Sequence, residues 1–143
     1  MPYDPSSILL TDRVAVVTGA GQGVGKATAL LLARFGARLA VCDRVAERLD
    51  ETEAELAAGG QPVLACHLDV RDGEAVSAFL ADVVATCDRV DVLVNNAGGT
   101  FFAPFLGVSE KGESALVAEN FFQVTALVRG VVPLMPDGGA IVT

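Results

Sequence analysis

The sequence predicts an α/β domain built on a doubly wound parallel sheet that is cut off at its fifth strand. Three observations carry this expectation. Short apolar runs, such as residues 14–17 and 90–94 with Asp91 as its one charge, alternate along the whole length with longer segments of helical periodicity. Strands apolar on both faces belong to parallel sheets covered by helices on both sides, and strand–helix alternation with right-handed crossovers produces that architecture. Third, the first apolar run opens into a turn with glycine at 19, 21, 23 and 25, directly before a helix-like segment. Such a turn places backbone N–H groups and the positive end of a helix where an anion can bind.

Each element follows in order. Residues 14–17 are the first strand. The helix over 24–35 is apolar nearly all round, with Lys26, Thr28 and Arg34 as exceptions, and Gly36 supplies its stop. Residues 38–42 form the second strand, which ends at Asp43. Residues 44–58 set Val45, Leu49 and Leu56 on one face and charged side chains on the rest, an amphipathic surface helix closed by Gly59 and Gly60. Residues 62–66 make a short third strand, followed by Leu68, Asp69 and Val70. From Asp72, a good N-cap, apolar residues at 76, 79, 80, 83 and 84 match the template of a helix with one buried face. The fourth strand, 90–94, carries Asn95-Asn96-Ala97-Gly98 at its end. A loop over 99–108 holds Phe101, Phe102, Pro104 and Phe105. The next helix begins at Ser109 and is expected to pack on the sheet through residues 117, 121, 124, 128, 131 and 135. Phe122, Leu127 and Leu134 form a second apolar face suited to a partner subunit. Pro133 should kink or end this helix, because its ring clashes with the carbonyl of Arg129. Residues 140–142 open the fifth strand. Five strands with four intervening helices, and no repeat, linker or low-complexity tract, make residues 1–143 one Rossmann-type domain.

Composition excludes several classes. Eighteen acidic against ten basic residues give a net charge of −8, which argues against nucleic acid and anionic lipid surfaces as partners. The hydrophobic share is 52%, but no 18-residue run lacks charged or turn residues, so a buried parallel sheet accounts for it better than a membrane span. Residues 1–7 read as a loose lead-in with no signal-like pattern, and a cytoplasmic location is the expectation. Cys42, Cys66 and Cys87 are odd in number and widely spaced, consistent with reduced thiols and no metal site. His67, the single histidine, either edges a ligand pocket at a strand end or is an exposed loop residue.

The glycine turn fits T-G-x-x-x-G-x-G, from Thr18 to Gly25, and not the general G-x-G-x-x-G fingerprint. Gly19 permits the tight turn, Gly23 lets the backbone approach a pyrophosphate, and Gly25 allows close helix–strand packing. Asp43 lies 18 residues after Gly25 at a strand's carboxyl end, where an acid accepts hydrogen bonds from the adenosine ribose of NAD and repels a 2′-phosphate. Arg44 softens that preference without reversing it, so NAD is favoured over NADP. The amides of Asn95 and Asn96 can tie adjacent strand ends together, while Ala97 and Gly98 leave room for a nucleotide ribose.

Thr18–Gly25 combined with Asn95–Gly98 resembles the short-chain dehydrogenase/reductase family, over a stretch running from about residue 12 to the end. The resemblance implies an NAD(P)-dependent oxidoreductase acting on an alcohol/carbonyl pair and, at full length, a homo-oligomer. It implies dinucleotide contacts from Thr18, Gly19, Gln22, Gly23, Val24 and Gly25, with Asp69 on the adenine amino group, Val70 near the ring, and Asn95–Gly98 at the ribose. It further implies that Asn120 interrupts the long helix and holds a water in a proton relay. The family's catalytic serine, tyrosine and lysine have no counterpart here: Tyr3 is the single tyrosine, Lys111 is the last lysine, and no Tyr-x-x-x-Lys occurs. These 143 residues alone are therefore expected to lack dehydrogenase activity and to self-associate through uncovered apolar surface. Two other readings stand beside this one. A catalytically silent dinucleotide-binding or interaction module would share every feature, and an S-adenosylmethionine methyltransferase would share the glycine turn and the acid. Phe101, Phe102 and Phe105 either line an apolar substrate wall or pack onto the sheet.

Overall fold

The computed structural model describes residues 8–135 and 138–143; the lead-in over 1–7, with Tyr3, lies outside them. Five strands form one parallel sheet in the order β3-β2-β1-β4-β5. They are β1 (Val14–Thr18), β2 (Arg38–Asp43), β3 (Val63–His67), β4 (Val92–Val94) and β5 (Ala140–Val142). The helices between them are α1 (Gly23–Arg34), α2 (Ala46–Ala58), α3 (Gly73–Cys87), and α4 (Glu110–Val117) continued by α5 (Gln123–Val131). The doubly wound architecture read from the alternation is thus the observed one.

β1 sits at the centre and shows why its sequence is apolar at every position. Val14 and Val16 join a cluster with Phe79, Val83, Leu127 and Val131 on one face. Ala15 and Val17 join Ala29, Ala33, Leu49 and Leu56 on the other. The chain order reverses at β1, since β2 leaves on one side and β4 arrives on the other. Ligands of open α/β sheets bind at such a switch point, outside the carboxyl ends of the strands.

Most element bounds match the sequence reading within two or three residues. Asp72 caps α3 by accepting from the Glu74 and Ala75 amides, and Gly36 ends the α1 region at φ +97°. In α3 the predicted face is buried except at Val84, which is 36% exposed. Thr52 joins Leu49 and Leu56 on the inner face of α2, its hydroxyl donating to the Ala20 carbonyl at 3.1 Å. At the amino end of the sheet, buried Asp91 accepts from the Val14 amide at 3.0 Å and pairs with Arg13 and Arg89, each at 2.8 Å. Burial alone would raise the Asp91 carboxyl, but these hydrogen bonds and charges outweigh it and hold the group below the usual carboxylate range.

The long helix departs from expectation. It spans Glu110–Leu134, a length and composition sufficient to cross a membrane, yet here its inner face docks on the sheet. A π turn at Ala118–Phe122 separates α4 from α5, and 3-10 geometry at Val132–Leu134 ends the helix around Pro133. The buried residues are Gln123, Leu127 and Val131, whereas Val117 and Phe121 of the expected sheet-facing stripe are exposed. Leu127, assigned from periodicity to a partner-facing side, lies in the core. A π turn takes up an extra residue, so a stripe extrapolated at 3.6 residues per turn through it emerges rotated.

Candidate functional site

Two turns meet at the switch point. After β1, Gly19 has φ +66°, and a Cβ there would stand 2.9 Å from both Ala97 Cα and Asn96 Nδ2. Gly25 is tighter, since its Cβ would lie 2.1 Å from the Gly19 carbonyl oxygen. Gly23 differs from both: its φ is +58°, and a Cβ would meet nothing within 4 Å. It stands at the start of α1, whose first turn has no side-chain cap and no acidic residue, so its leading N–H groups are free of competing side-chain acceptors.

After β4, the asparagines act as clamps in opposite directions. The Asn96 side chain donates to the carbonyls of Thr18 and Gly19 at 3.1 and 3.0 Å, while the Thr18 hydroxyl accepts from the Asn96 and Ala97 amides. Asn95 faces the other neighbour, its backbone amide donating to Val142 at 2.9 Å and its side chain to the Thr143 hydroxyl. From the long helix, the Gln123 side chain donates to the Ala97 carbonyl at 2.9 Å. Asn120 brackets Gly99: its amide donates to the Gly99 carbonyl at 2.8 Å, and its oxygen accepts from the Gly99 N–H at 3.2 Å. The same amide also donates to the Leu116 carbonyl in α4, four residues back. Asn120 does sit in the helix interruption, with its hydrogen-bonding groups engaged by backbone. Gln123 escaped the sequence reading; the available signal was a second amide three residues after Asn120 in an apolar stretch.

These turns and the ends of β2 and β3 enclose a cleft of about 440 Å³. Of the residues singled out from sequence, Gly19, Gln22, Gly23, Val24, Asp43, Asp69, Val70, Asn96, Ala97 and Gly98 line it. Thr18, Gly25, Asn95 and Asn120 do not, and their contacts are those of the framework behind the wall. Arg44, Arg48 and Glu119 line the cleft as well. Asp43 is fixed by two amides, Gly21 N to Oδ2 at 2.8 Å and Val45 N to Oδ1 at 2.9 Å. Gly21 thereby acquires a role of its own, because a Cβ there would stand 2.8 Å from the Asp43 carboxyl carbon. The hydrogen bond from Arg71 holds the Asp69 carboxyl below its ordinary range. His67 is an exposed strand-end residue whose Nε2 meets the Arg44 carbonyl at 2.8 Å. Phe101, Phe102 and Phe105 are exposed, neither packed on the sheet nor lining the cleft. The three cysteines are free, burial pushes the Cys42 thiol up to about 12, and no metal-ligand cluster occurs among the described residues.

Comparison with known proteins decides the family. The family model for short chain dehydrogenases matches residues 13–143. The chain belongs to the short chain dehydrogenase family. The oxidoreductase UcpA of Salmonella typhimurium is 36% identical over 126 residues, covering 88% of this chain and 48% of that protein. A solved 7α-hydroxysteroid dehydrogenase, complexed with NADH and 7-oxo glycochenodeoxycholic acid, superposes with a TM-score of 0.92 at 30% identity. The match covers 97% of this chain and 55% of that one. A metagenomic short-chain oxidoreductase in complex with NADP gives a TM-score of 0.86 at 37% identity, covering 92% and 61%. This short chain dehydrogenase sequence thus spans about half the length of the relatives it matches, and its structural neighbours bind either NAD or NADP.

Proposed function

We propose that this chain is the dinucleotide-binding portion of an NAD-dependent oxidoreductase that transfers a hydride between a nicotinamide and an alcohol/carbonyl pair. The observation that carries the reading is one continuous cleft running from the open face of Gly23 to the Asp43 carboxylate. The fit to a dinucleotide is physical at both ends. At Gly23 a positive φ and open space beyond the missing Cβ allow a pyrophosphate to approach α1's leading N–H groups. At Asp43 each carboxylate oxygen accepts one backbone N–H, which leaves acceptor sites for ribose hydroxyls. Asp69 and Val70 line the end of the cleft where the adenine would lie, Asp69 with its carboxylate already held by Arg71.

The hydride chemistry belongs to the nicotinamide; this chain binds and orients. Asn96, Gln123 and Asn120 hold the 97–99 backbone rigid against the cleft, and Gly98 keeps it narrow, since a Cβ there would stand 2.7 Å from Asn120 Oδ1. We assign Asn120 a positioning role, since its side chain is engaged by the backbone of Gly99 and Leu116. No Ser, Tyr or Lys lines the cleft among the described residues, so proton donation to the substrate falls to groups outside this stretch.

The test is equilibrium binding of NADH, NADPH and S-adenosylmethionine to the full-length protein, followed by turnover against a carbonyl panel. NADH should bind tightest and support reduction. Tighter NADPH binding would overturn the NAD assignment. Dinucleotide binding without turnover on any carbonyl would favour the silent module.

A further inference from the structure

The end of the cleft beside β2 and β3 is lined by charges of both signs, Asp43, Arg44, Arg48, Asp69 and Glu119. Arg44 reaches from the carboxyl end of β2 to the π turn of the long helix, where its Nη1 lies 3.1 Å from Glu119 Oε1. Asp69 pairs with Arg71, whose Nε and Nη2 both donate to its carboxylate. The pairs are coupled, because Arg44 acts on Asp69 and Glu119 on Arg71. Within the crossing pair the acid is the anchored member: the Glu119 side chain is 18% exposed against 58% for Arg44. Gly99 makes room for it, since a Cβ there would stand 2.9 Å from Glu119 Oε1. Asp43, by contrast, is held by amides alone and has no cation of its own among the described residues.

We propose that Glu119 is a cofactor-specificity residue: by holding the Arg44 guanidinium across the cleft, it denies a 2′-phosphate a cationic partner and leaves Asp43 to select ribose hydroxyls. The inference rests on the dinucleotide reading above. An unpaired arginine next to Asp43 would offset the repulsion of that acid and offer a fork matched to phosphate oxygens. Paired with Glu119, the same arginine carries no net charge to the site. A 2′-phosphate must then break the pair or stand among Asp43, Asp69 and Glu119 with Arg48 as the one other cation lining the cleft among the described residues. Sequence alone hid this, because Glu119 lies 75 residues from Arg44 and only the docking of the long helix joins them. Arg48 lines the same cleft from α2 and serves as the control.

The experiment measures NADH and NADPH dissociation constants on the full-length protein by nicotinamide fluorescence. The variants are Glu119→Gln, Glu119→Ala, Arg44→Ala, and Glu119→Gln combined with Arg44→Ala or Arg48→Ala. Wild type should favour NADH. Both Glu119 variants should tighten NADPH about three- to tenfold and leave NADH within about twofold. Arg44→Ala should cancel that gain, Arg48→Ala should not, and added salt should shrink it. If wild type favours NADH and a folded Glu119→Ala protein shows an unchanged NADPH-to-NADH ratio, the role of Glu119 is overturned and the dinucleotide reading stands. A gain that survives Arg44→Ala, or that disappears with Arg48→Ala, also overturns it. Failure of wild type to bind either dinucleotide overturns the reading beneath it.

Discussion

The glycine turn after β1 and the bulged helix α4–α5 hold the same short segment, residues 96–99, from two sides by different means. The turn works mainly through backbone: the carbonyls of Thr18 and Gly19 receive the Asn96 side chain, glycines remove the Cβ atoms that would block the approach, and the Thr18 hydroxyl alone adds a side-chain grip on the 96 and 97 amides. The helix works through side chains, with Gln123 on Ala97 and Asn120 on Gly99. A backbone device tolerates almost no substitution at its glycines, whereas a side-chain device loses one or a few hydrogen bonds at a time. The two sides should therefore fail differently.

The largest effect belongs to the turn. Gly25→Ala would put a Cβ 2.1 Å from the Gly19 carbonyl oxygen, and a backbone clash of that size should cost more than about 3 kcal/mol. A lowered melting temperature or no soluble fold is the expected outcome; an unaltered melting curve would show that the turn is loose. Gly23→Val, two residues earlier, meets open space. It should keep the fold within about 1–2 kcal/mol of left-handed strain and still abolish dinucleotide binding, which calorimetry on the folded variant would check.

Next comes the opposite end of the sheet, where Asp91 ties β1 to β4 far from the cleft. Asp91→Ala should cost roughly 2–4 kcal/mol, because it leaves the buried Val14 amide without its acceptor and removes the carboxylate that Arg13 and Arg89 both meet. Since the folded-state carboxyl is held below its unfolded value, its contribution is fully present above about pH 4 and is lost as pH falls through the lower folded value. Urea midpoints should stay flat in this respect from neutral pH to about 4 and drop below it, and the drop should shrink in Asp91→Ala. Cofactor binding at neutral pH should change little in whatever fraction remains folded.

At the cleft rim, Asp43→Ala should narrow the gap between NADH and NADPH by about ten- to hundredfold, the worth of a charge-assisted hydrogen bond of about 1.5–3 kcal/mol. Parallel titrations with both dinucleotides read this directly, and an unchanged ratio would remove Asp43 from the ribose.

The helix side should give the smallest losses. Asn120→Ala removes three hydrogen bonds and Gln123→Met removes one. About 1–3 kcal/mol for the first and about 1 kcal/mol or less for the second are expected, together with a raised KM for the dinucleotide. A Gln123→Met protein as crippled as Gly25→Ala would erase the contrast between the two sides.

How much was legible follows the same division. Val14 to Gly25 could be read because its signals are contiguous, an apolar strand followed by glycines ahead of a helix, although the atoms that forbid a Cβ at Gly19 and Gly21 belong to residues 43, 96 and 97. Asp43 was legible as a strand-end acid, though its grip by Gly21 and Val45 was not, since a sequence does not show which amides a carboxylate turns toward. Glu119 was missed because its partner lies 75 residues away; Gln123 was missed and Leu127 set on the wrong face for another reason. Periodicity assumes a uniform helix, and the π turn at Ala118–Phe122 resets which residues face inward.

By itself the sequence determined the alternation of strands and helices, the parallel sheet, the glycine turn and the family, because these rest on patterns within a dozen residues and on the chemistry of single side chains. Only the tertiary structure decided that Thr18, Gly25 and Asn95 stand behind the cleft wall, that Asn120 and Gln123 clamp it, and that Arg44 meets Glu119 across it. Those relations join residues 21 to 79 positions apart. Their partners are chosen by how helices dock and where one helix bulges, and that geometry is a property of the packed whole.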